Sequence, residues 1–339
     1  MKYTLFVILI LLHTLPAVPY AQTSGANFLL FPVSARAEGM GGAYGAETED
    51  AFSIGTGPAA LGALKNNTIG LTYASKLGNS EYQYFCLGQQ TEVGNIGAAI
   101  LFSHYGKINY INATGFISEK IYTAKDFLAQ VSIANTYQWL LYGGSIQIIS
   151  RSLGEFTVNT VCLDAGIGGQ FSIPGIGSGT EKRLVATLNI ANLGDTLKFE
   201  SGKNIPLPSM LYLSAQYLPF VNDKHRVKIA FDIGQPVYRS GPPHIKTGLE
   251  YRIYKIFNLR AGYQSLNNGQ AGTVILGGGL EAPVRKNTFA IDYAWYPYSM
   301  LNDNGHSISA LLRFKISGSS LKKNTSNNTK LSYSHSDEL

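Results

Sequence analysis

The chain has 339 residues, of which 45% are hydrophobic and only 14% charged, against about 25% charged in an ordinary soluble domain. That balance excludes disorder for the body of the chain, and neither collagen-like nor coiled-coil repeats are present. The net charge of +6 comes from scattered Lys and Arg and in part from Lys322, Lys323 and Lys330, so no basic stripe suited to nucleic acid exists.

The first residues read as an address. Lys2 precedes the apolar run Leu5–Leu12, which is too short for an ordinary membrane anchor and fits a secretory signal over residues 1–21, cut near Ala21. From Asn67 onward the chain alternates apolar and polar positions with period two between Gly, Asn, Asp or Pro clusters, the pattern of half-buried strands. Strand candidates fall near 67–77, 81–91, 95–105, 126–136, 139–150, 158–170, 183–194, 209–218, 225–234, 244–253, 256–264, 271–282, 287–296 and 306–316. That gives about 14, an even number as bacterial outer-membrane barrels require. No helical pattern separates them, which excludes a parallel α/β sheet.

Phe127–Ser150 holds no charged residue, and by length alone could be a membrane helix. A helix would turn Gln130, Ser132, Asn135 and Gln147 toward lipid. A hairpin turning at Thr136–Gln138 puts them mostly on one face of each strand.

Alternation alone also fits a water-soluble sandwich, so the company the charges keep decides. Lys246, Gly248, Glu250 and Arg252 share one face opposite Thr247, Leu249, Tyr251 and Ile253, and Arg260 and Asp292 sit on equivalent faces of later strands. Charges that share a face with Gly, Ser, Asn and Gln suit a polar lumen, with the apolar face outward to lipid. Aromatic residues collect at strand ends, at Tyr105, Tyr137, Trp139, Tyr217, Phe220, Trp295, Tyr296 and Tyr298, where interfacial girdles form. The expected fold is therefore all-β: a transmembrane antiparallel β-barrel over 67–316, with outer-membrane lipids as its surroundings.

Connection lengths give an orientation, since such barrels alternate short periplasmic turns with longer external loops. The long set is Gly106–Lys125, Gly194–Pro208, Gln235–Pro243 and Pro297–Gly305; the short set includes Glu92–Gly94, Gln138, Tyr254–Lys255 and Pro283–Lys286. Ser172–Lys182 is long on the short side and breaks the rule.

Cys86 and Cys162 have no metal-ligand spacing and read as packing residues, and the six histidines are dispersed. No nucleophile motif appears, so no catalytic residue, metal or cofactor is expected. Gly39-Met-Gly-Gly has neither dinucleotide spacing nor a P-loop lysine. Asp232, Lys246, Glu250, Arg260 and Asp292 form a candidate charge network inside the lumen. Its expected role is filling that holds the barrel shape, ahead of binding or gating.

The segment Ser34-Ala-Arg36-Ala-Glu-Gly39-Met-Gly41-Gly42-Ala-Tyr44, then Glu49-Asp50-Ala51 and Gly57-Pro58-Ala59-Ala60-Leu61-Gly62, resembles the N-terminus of the PorV/PorQ family of outer-membrane proteins. Asp164–Gly168, Asn189–Gly194, Gly248–Tyr251, Leu259–Tyr263 and Ile291–Ala294 continue the resemblance in order. That family is itself similar to the FadL-type transporters. The resemblance implies a Bacteroidetes outer-membrane location, an N-terminal plug or hatch over 22–66, and a part in type IX secretion through contacts with secretion proteins and cargo. Gly39, Gly41, Gly42, Pro58 and Ala59 are the candidate plug motif. The family's Asn-Pro-Ala is Gly57-Pro58-Ala59 here, so whatever that Asn bonds must be replaced or missing. The alternative is a FadL-like channel for a hydrophobic ligand, which predicts an apolar, continuous cavity behind Gly39–Gly62. Residues 317–339 are polar and rich in Asn, Ser and Lys, and are expected to be disordered.

Overall fold

The computed structural model describes residues 24–315, apart from 77, 79, 112–116, 174–175, 178–183, 200–203, 239–241, 266–271 and 299–302. The expected signal segment and C-terminal tail lie outside the described residues. The barrel strands are β1 (Asn67–Lys76), β2 (Ser80–Thr91), β3 (Gly94–Ile111), β4 (Ile117–Tyr137), β5 (Leu140–Leu153), β6 (Phe156–Phe171) and β7 (Leu184–Gly194). There follow β8 (Met210–Val221), β9 (His225–Pro236), β10 (His244–Ile253), β11 (Phe257–Gln264), β12 (Thr273–Val284), β13 (Asn287–Tyr298) and β14 (Asp303–Phe314). Each pairs antiparallel with its sequence neighbours, and β1 pairs with β14 from Asn67↔Phe314 to Ser75↔His306, so the 14-stranded sheet closes on itself. Among the described residues no helix is long and apolar enough to cross a membrane.

The period-two pattern explains the wall. On β1, Leu71 is 54% exposed while Thr72 is 7%; on β11, Leu259 is 57% exposed while Arg260 is 4%. A water-soluble sheet buries such leucines and solvates the arginine. Here the apolar side chains form an outward belt, and the polar ones turn into the lumen, as a lipid-wetted cylinder requires. Tyr137, Trp139, Tyr254 and Phe257 are exposed on that belt's short-turn edge. Tyr296 departs from the expected girdle. It is buried inward, 5.0 Å from Lys76 Nζ at its ring centre. Tyr105 is half-buried and donates to Asp126 at 2.6 Å.

Two connections differ from the loop expectation. Gly106–Lys125 is not a loop: β3 and β4 keep pairing as far as Ile111↔Ile117, with irregular register after His104. The Ile and Tyr content of this stretch favours continued pairing. Within Ser172–Lys182, Ile176–Gly177 adds a short parallel pairing to Phe220–Val221 of β8, beyond a register shift at Tyr217/Phe220. On the opposite end, Leu197–Lys198 and Asn204–Ile205 make a small hairpin.

Candidate functional site

Residues 24–66 thread the inside of the barrel. Ser34 caps helix α1 (Ala35–Gly39) by accepting from Ala37 N at 3.1 Å, and Asp50 caps a 3-10 turn (Ala51–Gly55) by accepting from Phe52 N at 3.1 Å. Pro58 opens helix α2 (Pro58–Leu61), where its missing N–H costs nothing. The inner segment starts beneath the Leu197–Ile205 hairpin, with Gly25 N donating to Pro206 O at 3.0 Å, and leaves at the short-turn end into β1.

The candidate glycines lie where backbone meets backbone. Gly41 has φ 65°, and a Cβ there would stand 2.6 Å from Thr247 O and Tyr263 N on β10 and β11, so both its conformation and its contact require glycine. Gly39 faces Gly277 and Arg260, and Gly42 faces Lys246. Pro58 and Ala59 sit on the far side of the lumen against Gly143 and Gly166. The two halves of the candidate motif therefore hold opposite walls and do not form one site.

Of the predicted lumen charges, the structure brings Glu250, Arg260 and Asp292 together. Arg260 donates to Glu250 at 2.7 Å and to Asp292 at 2.6 Å. Asp232 and Lys246 do other work. Asp232 accepts from the backbone N–H groups of Tyr44 and Gly45 at 3.0 and 3.1 Å, and Lys246 Nζ lies 5.2 Å from the ring centre of Tyr212.

The larger part of the network comes from residues the sequence reading did not place in it. Arg36 on α1 clasps Glu250 through two hydrogen bonds of 3.0 and 3.1 Å, the paired geometry in which guanidinium–carboxylate contacts are strongest. Arg36 also reaches Glu49 at 2.8 Å, Asp50 at 3.1 Å and Glu47 at 3.3 Å. From the wall, Lys228 holds Glu47 at 2.7 Å, Arg226 pairs with Glu49, and Arg252 and Arg313 both reach Glu281 at 3.0 Å. Six cations (Arg36, Arg226, Lys228, Arg252, Arg260, Arg313) thus face six anions (Glu47, Glu49, Asp50, Glu250, Glu281, Asp292). A buried cluster of either sign alone would be prohibitively costly, and this one balances. A signal existed: Glu47, Glu49 and Asp50 crowd three of the chain's 21 acids into four positions.

The inner segment's carboxyls feel this environment unequally. Burial opposes ionisation of Glu49, but Arg226, Lys228, Arg36 and Arg252 outweigh it and hold the carboxyl well below the usual glutamate range. Glu47 is lowered against burial by Arg36 and Lys228. Asp50 goes the other way, because burial there outweighs Arg36 and pushes it up.

The lumen is divided. Charges crowd β9 to β14, whereas on β2 to β6 the inner wall sets apolar side chains beside a hydrogen-bonded polar patch of Gln130, Ser145, Gln147 and Asp164. There Tyr82, Tyr84, Leu101, Leu128 and Ile149 pack with Phe28, Val33, Phe52 and Ile54 of the inner segment in one cluster, which Leu197 and Leu207 join from the outer loop. Cys86 and Cys162 are buried free thiols in it. The continuous apolar cavity predicted behind Gly39–Gly62 is not present among the described residues, because Phe52, Ile54 and Leu61 occupy that space. The large cavity, about 1160 Å3, is instead polar and opens at the short-turn mouth, bounded by Glu49, Arg226, Arg252 and Arg313. No cluster of metal-ligating side chains occurs among the described residues.

No protein-family model and no curated protein sequence matches this chain. Solved structures do. The toluene transporter TodX of Pseudomonas putida is 11% identical, covers 83% of this chain and 96% of its own, and has a TM-score of 0.52. CymD, a monoaromatic hydrocarbon channel, is 14% identical over 84% and 97% of the two chains, with a TM-score of 0.56. The class this defines is the FadL-like outer-membrane barrel fold. At these identities the likeness concerns the fold.

Proposed function

We propose that this chain is an outer-membrane barrel of a Gram-negative bacterium that passes small hydrophobic compounds, with residues 24–66 as its gate. The apolar cluster inside the lumen carries this reading: Tyr82, Tyr84, Leu101, Leu128 and Ile149 offer hydrophobic contact on the wall, covered by Phe28, Phe52 and Ile54 in the closed state. TodX and CymD, similar in fold, are a toluene transporter and a hydrocarbon channel. Opening requires the inner segment to leave that apolar cluster while the ion pairs on the opposite wall hold it. Reconstituted in liposomes, the full chain should speed entry of toluene over protein-free vesicles without speeding entry of glucose, and Arg36→Met should raise the toluene rate further. Equal rates with and without protein, in both forms, would remove the proposal.

A second reading, the secretion role implied by the PorV/PorQ resemblance, is favoured by one observation: among the described residues, Phe52, Ile54 and Leu61 fill the lumen behind Gly39–Gly62, which suits a protein acting through its loops. A deletion strain that strands secreted proteins in the periplasm with unchanged hydrocarbon uptake would favour it over the first.

A further inference from the structure

At the short-turn mouth, periplasmic by the loop-length rule, the carboxylate of Glu49 sits among four cations. Arg226 contacts this carboxyl group, with Arg36 at 2.8 Å, Lys228 at 3.4 Å and Arg252 at 3.6 Å. Glu47 and Asp50 are sealed, with side chains 3% and 0% exposed, whereas that of Glu49 is 22% exposed and borders the 1160 Å3 cavity. The Nε of Arg226 is buried without a hydrogen-bond partner. A neighbouring space of about 620 Å3 shares Arg226 and Arg252 and adds Lys224 and Lys255. Both lysines are exposed on adjacent turns, with Arg285 and Lys286 on the next turn round; the acids on these two spaces besides Glu49 are Asp223, Glu92 and Glu281, the last already paired with Arg252 and Arg313.

We propose that this mouth docks an acidic peptide segment of a protein partner, whose carboxylates compete with Glu49 for Arg226 and Arg252 and so loosen the inner segment from its wall. Charge complementarity selects the occupant: once Glu49 leaves, the cluster has one cation too many, and an incoming carboxylate restores the balance. The site faces the lumen mouth, on the other side of the wall from the lipid-facing belt that carries Tyr251, Tyr254 and Phe257, so a lipid with its headgroup there could not keep its acyl chains on that belt. Gln170 and Gln216 on the cavity wall offer amides to a peptide backbone, which a lone small anion would leave unused. The proposal does not depend on what crosses the barrel.

The test uses the full chain in lipid nanodiscs and a fluorescent hexaglutamate peptide followed by anisotropy, with hexalysine and free glutamate as controls. Hexaglutamate should bind saturably, and Lys224→Gln with Lys255→Gln should weaken it about tenfold, as loss of rim charges does. Glu49→Gln, which removes the internal competitor, should tighten it several-fold, whereas a purely structural Glu49 predicts no gain. Hexaglutamate should also speed maleimide labelling of Thr48→Cys on the inner segment. Binding no tighter than free glutamate per carboxylate, or unchanged by the Lys224 and Lys255 substitutions, overturns the proposal. That double variant, confined to exposed turns, decides the matter if Glu49→Gln does not fold.

Discussion

Asn189 of β7 stands where a side chain on Gly57 would stand: a Cβ built at Gly57 lies 2.6 Å from both Cγ and Nδ2 of Asn189. The space a side chain at Gly57 would take is thus filled by an amide of the barrel wall. Asn189 donates to Thr187 Oγ1 at 2.9 Å, and Thr187 in turn donates to Gly45 O at 2.9 Å, so the wall amide supports the inner segment through one relay.

Gly57→Asn should therefore destabilise the barrel by about 1–3 kcal/mol through overpacking. Asn189→Gly should also cost stability, by opening a void. The two together should cost less than their sum, with a coupling of about 0.5–3 kcal/mol, because they exchange one amide between two positions in contact. Urea unfolding in detergent micelles measures all three, and strict additivity would show that Asn189 does not fill the place of the missing side chain.

Arg36→Met should cost about 3–5 kcal/mol, since it leaves buried Glu250, Asp50 and Glu47 and half-buried Glu49 beside one cation fewer. Arg36→Lys should recover little of it, because a point charge cannot reproduce the two-pronged contact with Glu250. Arg36→Met with Glu250→Met should be milder than Arg36→Met alone. Thermal unfolding of the three variants checks the order.

What the sequence made legible was set by period. A strand's alternation is local, so the apolar belt and the inward faces of Glu250, Arg260 and Asp292 could be read from neighbours two residues away. The residues that Arg36 joins lie up to 214 positions apart in the chain, and no local pattern announces such partners. Asp232 and Lys246 illustrate the same limit. They are direct cross-strand partners on the inward face, yet their jobs depend on which part of the inner segment passes them, Tyr44 and Gly45 for Asp232 and not the Glu250 cluster. The hairpin extension past His104 was hidden for a different reason, since Gly106, Asn112 and Gly115 read by composition as loop residues.

Acid should loosen the inner segment before it unfolds the wall. Glu49 and Glu47 titrate below their unfolded values, so their stabilisation is fully present above the ordinary glutamate value of about 4.3 and is lost as pH falls through their depressed folded values. Asp50, raised by burial, opposes this in part, because its ionised form is disfavoured in the folded state and acid relieves that cost. Glu49, held well below the usual range, sets the sign, and the result is a net loss below about pH 4. Proteolysis of residues 24–66 by pepsin should rise steeply across pH 4 to 2 while the barrel's β-sheet circular dichroism holds, and Glu49→Gln should flatten the profile.

The lipid-facing belt makes the most direct prediction about location. Leu71 on β1 is 54% exposed and faces outward, paired across the sheet with Phe85 of β2, itself exposed, well away from either end of its strand. A lysine there has no water to reach and no acid beside it, so Leu71→Lys should cost about 2–4 kcal/mol in a bilayer, the penalty for a cation near the midplane of a barrel's outer face. The same substitution in a water-soluble sheet would be neutral or stabilising, because it would replace an exposed leucine with a solvated charge. Folding efficiency into phosphatidylcholine vesicles across a urea series separates the two. A Leu71→Lys variant that folds as well as wild type would show that this face meets water, and the membrane assignment would fall with it.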